Sequence, residues 1–407
     1  MSPNGPPYRR PVFFNLPVSV SLDRNHVLKM ENKMNTAALR RFRSFGILTV
    51  VAVYLLILVG GVVRSTGSGM GCPDWPKCFG QWIPPTEASQ LPPNYKEVYT
   101  AQRVAKNQKL ARNLQKLGFA QVAGSIFAHP TQYIETDFNP VKTWIEYVNR
   151  LLGALIGLFV FLTVVFAWPY WQRDRTIFWL ALASFLLTGV QGYLGSLVVS
   201  TNLLPVMVTI HMALALVIVA LLLYAVDRAR WGSGALLASS EVVVMPVAGA
   251  RRPALSLQVW LWAALLLTFW QIMLGTQVRE QVDIISAAAD YLGRESWVSR
   301  LGSGFSVHRT MSAVVLLVNV YVGYELWQLG AVRLRRLVVA VTSLIGLEIL
   351  AGIVLASFAL PPAVQPVHLT LATVLFGVQF LTLLAVARAR KGPKTIVPSD
   401  AVRRVVA

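Results

Sequence analysis

Long apolar runs dominate this chain, where a soluble protein would show amphipathic or alternating patterns. Stretches such as GILTVVAVYLLILVGGVV and LLGALIGLFVFLTVVFAW reach the roughly 18 residues a helix needs to cross a bilayer. Eight such runs are predicted as spans, at 44–63, 142–168, 176–199, 204–226, 255–278, 304–328, 334–358 and 363–388. Inside lipid every backbone N–H and C=O needs a partner within the protein, so each run must be a helix. The predicted fold class is an all-α polytopic membrane protein with eight transmembrane helices.

Composition agrees, with 55% hydrophobic and only 14% charged residues. The formal charge of +19 would suit nucleic acid, but its distribution argues for topology instead. Basic residues gather in alternate connections: Arg40, Arg41 and Arg43; Arg173 and Arg175; Arg228, Arg230, Arg251 and Arg252; Arg333, Arg335 and Arg336; Arg388, Arg390, Lys391 and Lys394. The connections near 200–204 and 359–362 carry no charge. By the positive-inside rule both termini are cytoplasmic and membrane lipid is the partner, not nucleic acid. Residues 1–43 read as a disordered cytoplasmic leader, with Met30 and Met34 as alternative starts, and 389–407 as a cytoplasmic tail.

An internal repeat organises the rest. QGYLGSLVVSTNLLPVMVTIHMALA and EILAGIVLASFALPPAVQPVHLTLA place Gly195 16 residues before His211 and Gly352 16 residues before His368. GGVVR closes the first span and GTQVR the fifth, which sets Arg64 opposite Arg279. EYVNR opens the second and SVHRT the sixth, which sets Asn149-Arg150 opposite His308-Arg309. The expected architecture is two tandem four-helix bundles, 44–226 and 255–388, joined by a cytoplasmic linker at 227–254. The first carries a long outer loop, 64–141, with a polar insertion at 94–139 in which YKEVYTAQRVAKNQKLARNLQKLG suggests a surface helix.

His211, His308 and His368 lie within spans, some 6–12 Å deep on the outer side at the helical rise of about 1.5 Å per residue. Ionisable residues there are costly and usually functional. Two facing imidazoles, His308 and His368, suit both axial bonds of a haem iron, with Arg279 or Arg309 near its propionates. A hydrogen-bonded histidine pair or a divalent metal site stays open as an alternative. In the first half His211 faces Asn149, and Glu146 lies three residues before that asparagine. A carboxylate there suits proton transfer, unless it merely pairs with Arg150 at the membrane edge. Cys72 and Cys78, the only cysteines, fall in the first outer loop and read as a disulfide, either a staple or a redox-active pair.

The motifs GGVVRSTGSGMGCPDWPKCFGQWIPPT, EYVNR, TIHMALA, SVHRT and PVHLTLA together resemble the haem A synthase (CtaA/Cox15) family across about residues 44–388. The resemblance implies an inner-membrane oxidoreductase that converts haem O to haem A by oxidising a methyl group to a formyl. It implies a haem b cofactor on His308 and His368, haem O beside His211 and Asn149, and Glu146 as the catalytic residue. Arg64 and Arg150 join Arg279 and Arg309 as candidates for propionate pairing. In many members the cysteine pair is linked to activity or haem transfer. A haem O synthase and an electron acceptor are implied partners, and self-association is left open. Asn149 departs from the family, whose fuller members have histidine there, so single ligation by His211 is expected. A cytochrome b-type electron carrier and a repeat-built transporter are the rival readings.

Overall fold

The computed structural model describes residues 24–126, 137–201, 203–237, 254–289 and 292–391. Among them are ten α-helices and no strands: α1 (Arg24–Ser65), α2 (Tyr95–Lys116), α3 (Ala120–Ser125), α4 (Pro140–Ala167), α5 (Arg175–Ser200), α6 (Pro205–Leu237), α7 (Leu255–Ala288), α8 (Ser303–Gln328), α9 (Val332–Ser357) and α10 (Val364–Lys391). Eight of these, all but α2 and α3, are long and apolar enough to cross a membrane, which makes this a multi-pass membrane protein. Local chemistry sets several of the starts. Asn139 caps α4 by accepting from the Lys142 N–H with Pro140 in the first turn, and Asp174 caps α5 by accepting from the Thr176 N–H.

The first helix begins well before the predicted span, at Arg24, so residues 24–43 are helical where a disordered leader was expected. The apolar side of that extension explains part of it. Leu39 and Phe42, one turn apart, are buried against Tyr170, Ile177 and Ala181, while Arg40 and Arg43 of the same turns stay outside this cluster.

The spans pack as two rings. In the first, α1, α4, α5 and α6 each lie against the next and α6 returns to α1. In the second, α7, α8, α9 and α10 do the same and α10 returns to α7. The rings meet where α1 lies on α10, and where α6 lies on α7 and α10. Small residues permit that approach. A Cβ at Gly61 would sit 2.8 Å from the Pro366 Cβ, and one at Gly377 would collide with the Tyr54 hydroxyl. On the side away from the histidines, Asp227, 3% exposed, accepts from Arg388 and from Arg333 at 3.5 Å. Those two guanidinium groups also flank the Trp231 ring, at 4.6 and 5.1 Å from its centroid. The outward faces carry Leu48, Val51, Leu55, Leu317 and Leu350, all exposed, as lipid contact requires.

The long connection between α1 and α4 is folded down onto the helices. The expected surface helix is α2, which docks through a hydrogen bond from Asn107 Nδ2 to the Ser200 carbonyl at 2.6 Å. Phe79 packs edge-on against Tyr95, Tyr99 and Phe138. Cys72 and Cys78 are joined as a disulfide, and neither residue has any exposed surface. Thiol–disulfide exchange needs a thiolate to reach one of the sulfurs. Burial of both favours the staple over an exchangeable pair. The folded protein is therefore expected to resist mild reductant and to take up a maleimide only after unfolding. For this six-residue separation, Cys78→Ser should lower unfolding free energy by about 2 kcal/mol, read as a lower melting temperature in detergent. Ready reduction with no change in melting temperature would make the pair exchangeable instead.

Candidate functional site

The three membrane histidines are held by one recurring arrangement. Each imidazole lies against a glycine of the preceding span: a Cβ added there would meet His211 Cε1 at 3.6 Å from Gly195, His308 Cε1 at 3.4 Å from Gly275 and His368 Cε1 at 3.7 Å from Gly352. A methyl group there would just touch the ring at ordinary contact distance, so each imidazole lies against the backbone of the preceding span with room for little more than a methyl group between. Four residues before each glycine stands a polar side chain, Gln191, Gln271 or Glu348, one turn away on the same face. Gln191 Nε2 donates to the His211 carbonyl at 2.8 Å, and Gln271 Nε2 donates to the His308 carbonyl at 2.9 Å. The backbones of His211 and His308 are thereby held by a side chain of the neighbouring helix.

A fourth copy is broken. By the register that aligns Arg64 with Arg279, Gly60 corresponds to Gly275 and Leu56 to Gln271, while Asn149 corresponds to His308. The glycine persists, but the imidazole and its glutamine partner are gone. A Cβ at Gly60 would meet nothing within 4 Å. Asn149 Oδ1 is buried without a hydrogen-bond partner.

His308 on α8 and His368 on α10 occupy opposite corners of the second ring, and these two helices are not packed on each other. The imidazoles are still near enough to interact electrostatically. His308 Nδ1 is buried with no hydrogen-bond partner, so the reading as a simple hydrogen-bonded pair is unsatisfied. Among the described residues no group of three or more His, Cys, Asp or Glu gathers as a metal cage. Two imidazoles at one depth across an apolar gap fit a flat macrocycle with one iron ligand on each side. Below them, 11 residues further along each helix, Gln379 Nε2 donates to Asn319 Oδ1 at 2.9 Å and closes that ring from beneath. The corresponding positions of the first ring are Val160 and Leu222, both fully buried.

Glu146 is 2% exposed and doubly held. Its Oε2 accepts from the Cys72 N–H at 2.8 Å and its Oε1 from Arg150 at 2.5 Å. Arg150 also donates to the carbonyls of Cys72 at 3.2 Å, Asp74 at 2.6 Å and Lys77 at 3.1 Å. The disulfide loop thus sits directly on the carboxylate, and one guanidinium binds both together. Lys106 of α2 stands close to this cluster. Partial desolvation, and then the Arg150 charge, hold its ammonium below the ordinary lysine value although its side chain reaches the surface. Farther out on the same helix, Asp137 bonds Lys96 at 2.5 Å and raises its value. The second ring has no counterpart of the carboxylate: Phe305 takes the place of Glu146, and the Arg309 guanidinium lies over its ring at 5.7 Å.

The other two predicted arginines converge on one acid. Arg64 and Arg279 reach Asp283 at 3.1 and 2.7 Å, and Arg279 also donates to the Arg64 carbonyl at 3.3 Å. Of the four propionate candidates, Arg309 alone is exposed. His129 lies outside the described residues. Sequence reasoning did not single out Gln191, Gln271 or Glu348. Their common spacing to the glycines was the available signal.

Comparison with known proteins supplies a family. The model of the COX15-CtaA family, described as cytochrome oxidase assembly protein, matches residues 43–117 and 119–380. A protein of Methylorubrum populi named Heme A synthase is 30% identical over 58% of this chain and 58% of its own length. One of the same name from Shewanella oneidensis is 27% identical over 45% and 44%. In these alignments the chain spans about half the length of the relative. A third, from Methylobacterium sp. strain 4-46, is 25% identical over 85% of this chain and 90% of its own. The family match runs through all eight spans and every site residue above, and on that ground the chain belongs to the COX15-CtaA family of cytochrome oxidase assembly proteins.

Proposed function

We propose that this protein is a haem A synthase, an oxidoreductase that converts a methyl group of haem O into the formyl group of haem A by successive hydroxylations. The observation that carries the reading is the unequal pair of sites: two glycine-backed imidazoles in one ring, and in the other one such imidazole, an asparagine at the position of the second, and a buried carboxylate one turn from it. A resident cofactor needs two permanent ligands, whereas a substrate must arrive and leave. His308 and His368 hold haem b, and His211 holds haem O on one side only. Asn149, a poor iron ligand, leaves the opposite side weakly bonded or open.

When bound, haem b supplies an iron that changes oxidation state, a task no side chain performs on an unactivated methyl group. The protein does the rest. Glu146 takes up the protons released at the methyl carbon, with Arg150 and the Cys72 N–H fixing where its two oxygens stand. The apolar helix faces around Val160 and Leu222 keep water from the porphyrin's underside. Arg309 pairs with a propionate. The two rings are tandem repeats, 44–226 and 255–388, with both termini on the cytoplasmic face of the inner membrane. Haem O is the substrate, and an electron acceptor and a haem O synthase are the partners that the chemistry needs.

Pigments extracted from cells lacking the gene should contain haem O and no haem A. An unchanged pigment profile would remove the proposal. Glu146→Gln should lower conversion by about 100-fold or more, the usual worth of a general base, while the haem of the second ring stays bound. Full haem A output from that variant would take Glu146 out of the mechanism. Asn149→His should bind haem O more tightly, give a bis-imidazole absorption spectrum and turn over more slowly. Spectra and rates indistinguishable from the parent would overturn single ligation.

A further inference from the structure

The three polar residues one turn before the glycines are not equivalent, and the difference is chemical. Gln191 and Gln271 each have an amide N–H to give, and each gives it to a histidine carbonyl. Glu348, at the third position, has no donor when ionised and cannot make that bond. Its Oε2 lies instead 3.0 Å from Nδ1 of His368, at hydrogen-bond distance though out of line with the ring N–H, and its Oε1 has no partner. His211 Nδ1 and His308 Nδ1 are buried with no acceptor at all. One histidine of the three therefore has a carboxylate against its second nitrogen.

We propose that Glu348 is a positioning residue that makes His368 the electron-rich ligand of the second ring and so sets a low reduction potential for the group held there. The inference rests on the reading that His308 and His368 hold haem b. An imidazole that gives one nitrogen to a metal keeps its proton on the other. A carboxylate facing that N–H fixes the tautomer and the ring's rotation and raises the ligand's basicity. The more basic ligand stabilises the ferric form. His308, with no such partner, stays an ordinary neutral ligand, so the two axial ligands differ in strength. A glutamine at 348 would swing its amide to the His368 carbonyl, as the two other glutamines do, and leave Nδ1 unattended. The repeat thus supplies its own control: the same spacing and the same glycine contact, with one functional group changed.

The test is a redox titration of the haem in the purified full-length protein, followed through its visible absorption, with haem content measured in parallel. Glu348→Gln should keep its haem and shift the reduction equilibrium at least tenfold towards the ferrous form, which is 59 mV upward for a one-electron couple. The reciprocal Gln271→Glu, which offers a carboxylate to His308, should shift the potential downward. Haem retained at the parent potential in Glu348→Gln would overturn the proposal and leave the haem b reading intact. If Glu348→Gln fails to hold haem, Gln271→Glu decides: a lowered potential supports the role of the carboxylate and an unmoved one rejects it. Purified parent protein whose absorption survives His368→Ala would instead sink the haem b reading beneath it.

Discussion

Contact between an imidazole and the backbone of the preceding span recurs at all three membrane histidines, and the rest of the arrangement is built around it. At Gly195, Gly275 and Gly352 the absent Cβ leaves room for a ring whose Cε1 would stand 3.4–3.7 Å from it. A methyl group would just touch the ring, and a side chain that extends beyond its Cβ towards the ring would displace it. Close approach of the paired helices follows from the same contact, since dispersion and small residues, not a hydrophobic driving force, hold helices together in lipid. The polar residue one turn earlier then finds the histidine's backbone within reach. Site geometry and helix packing are consequently one problem, with the glycine contact used three times and the glutamine bond twice.

What differs between the rings is added to this common frame. The first gains a carboxylate, Glu146, and a long outer connection that comes down onto it. The second keeps Phe305 at the matching place and gains the Asn319–Gln379 bond below. Arg150 and Arg309 show the consequence most directly. They stand at matching positions, yet Arg150 spends its donors on Glu146 and three loop carbonyls, whereas Arg309 rests over an aromatic face and stays exposed. A guanidinium so fully engaged organises protein, and one left on the surface can meet an anion. The polar rung below the second ring ties α8 to α10.

The spans and the histidine register were legible in the sequence because both are written in spacing, which survives without any knowledge of contacts. Hydropathy alone located all eight spans, with edges within a few residues for most. The early start of α1 was not legible, because Leu39 and Phe42 belong to no long apolar run and owe their burial to Tyr170 and Ala181 on other helices. Docking of the insertion was hidden for the same reason: Asn107 looks like any polar surface residue until Ser200 is seen beneath it. Arg64 and Arg279 matched by register, but their shared partner Asp283 has Ser68 as its counterpart, so the repeat could not announce it. Glu348 was not legible because it stands 20 residues before His368 on another helix, and only the packing of α9 on α10 brings it to 3.0 Å from Nδ1.

The broken fourth copy is the hardest feature to account for by packing alone. Had the first ring simply dispensed with a ligand, a small apolar residue at 149 together with a larger one at 60 would have filled the vacated space, since helices gain dispersion energy from every contact they complete. Neither change is present. Gly60 still offers its backbone to a ring that the chain does not supply, and Asn149 directs a buried, unpartnered amide oxygen from the position its counterpart fills with imidazole. An unsatisfied buried polar group costs about 1–3 kcal/mol, and an unfilled contact adds to that. Gly60 and Asn149 thus keep the register of the three histidine positions without the imidazole that the other three carry.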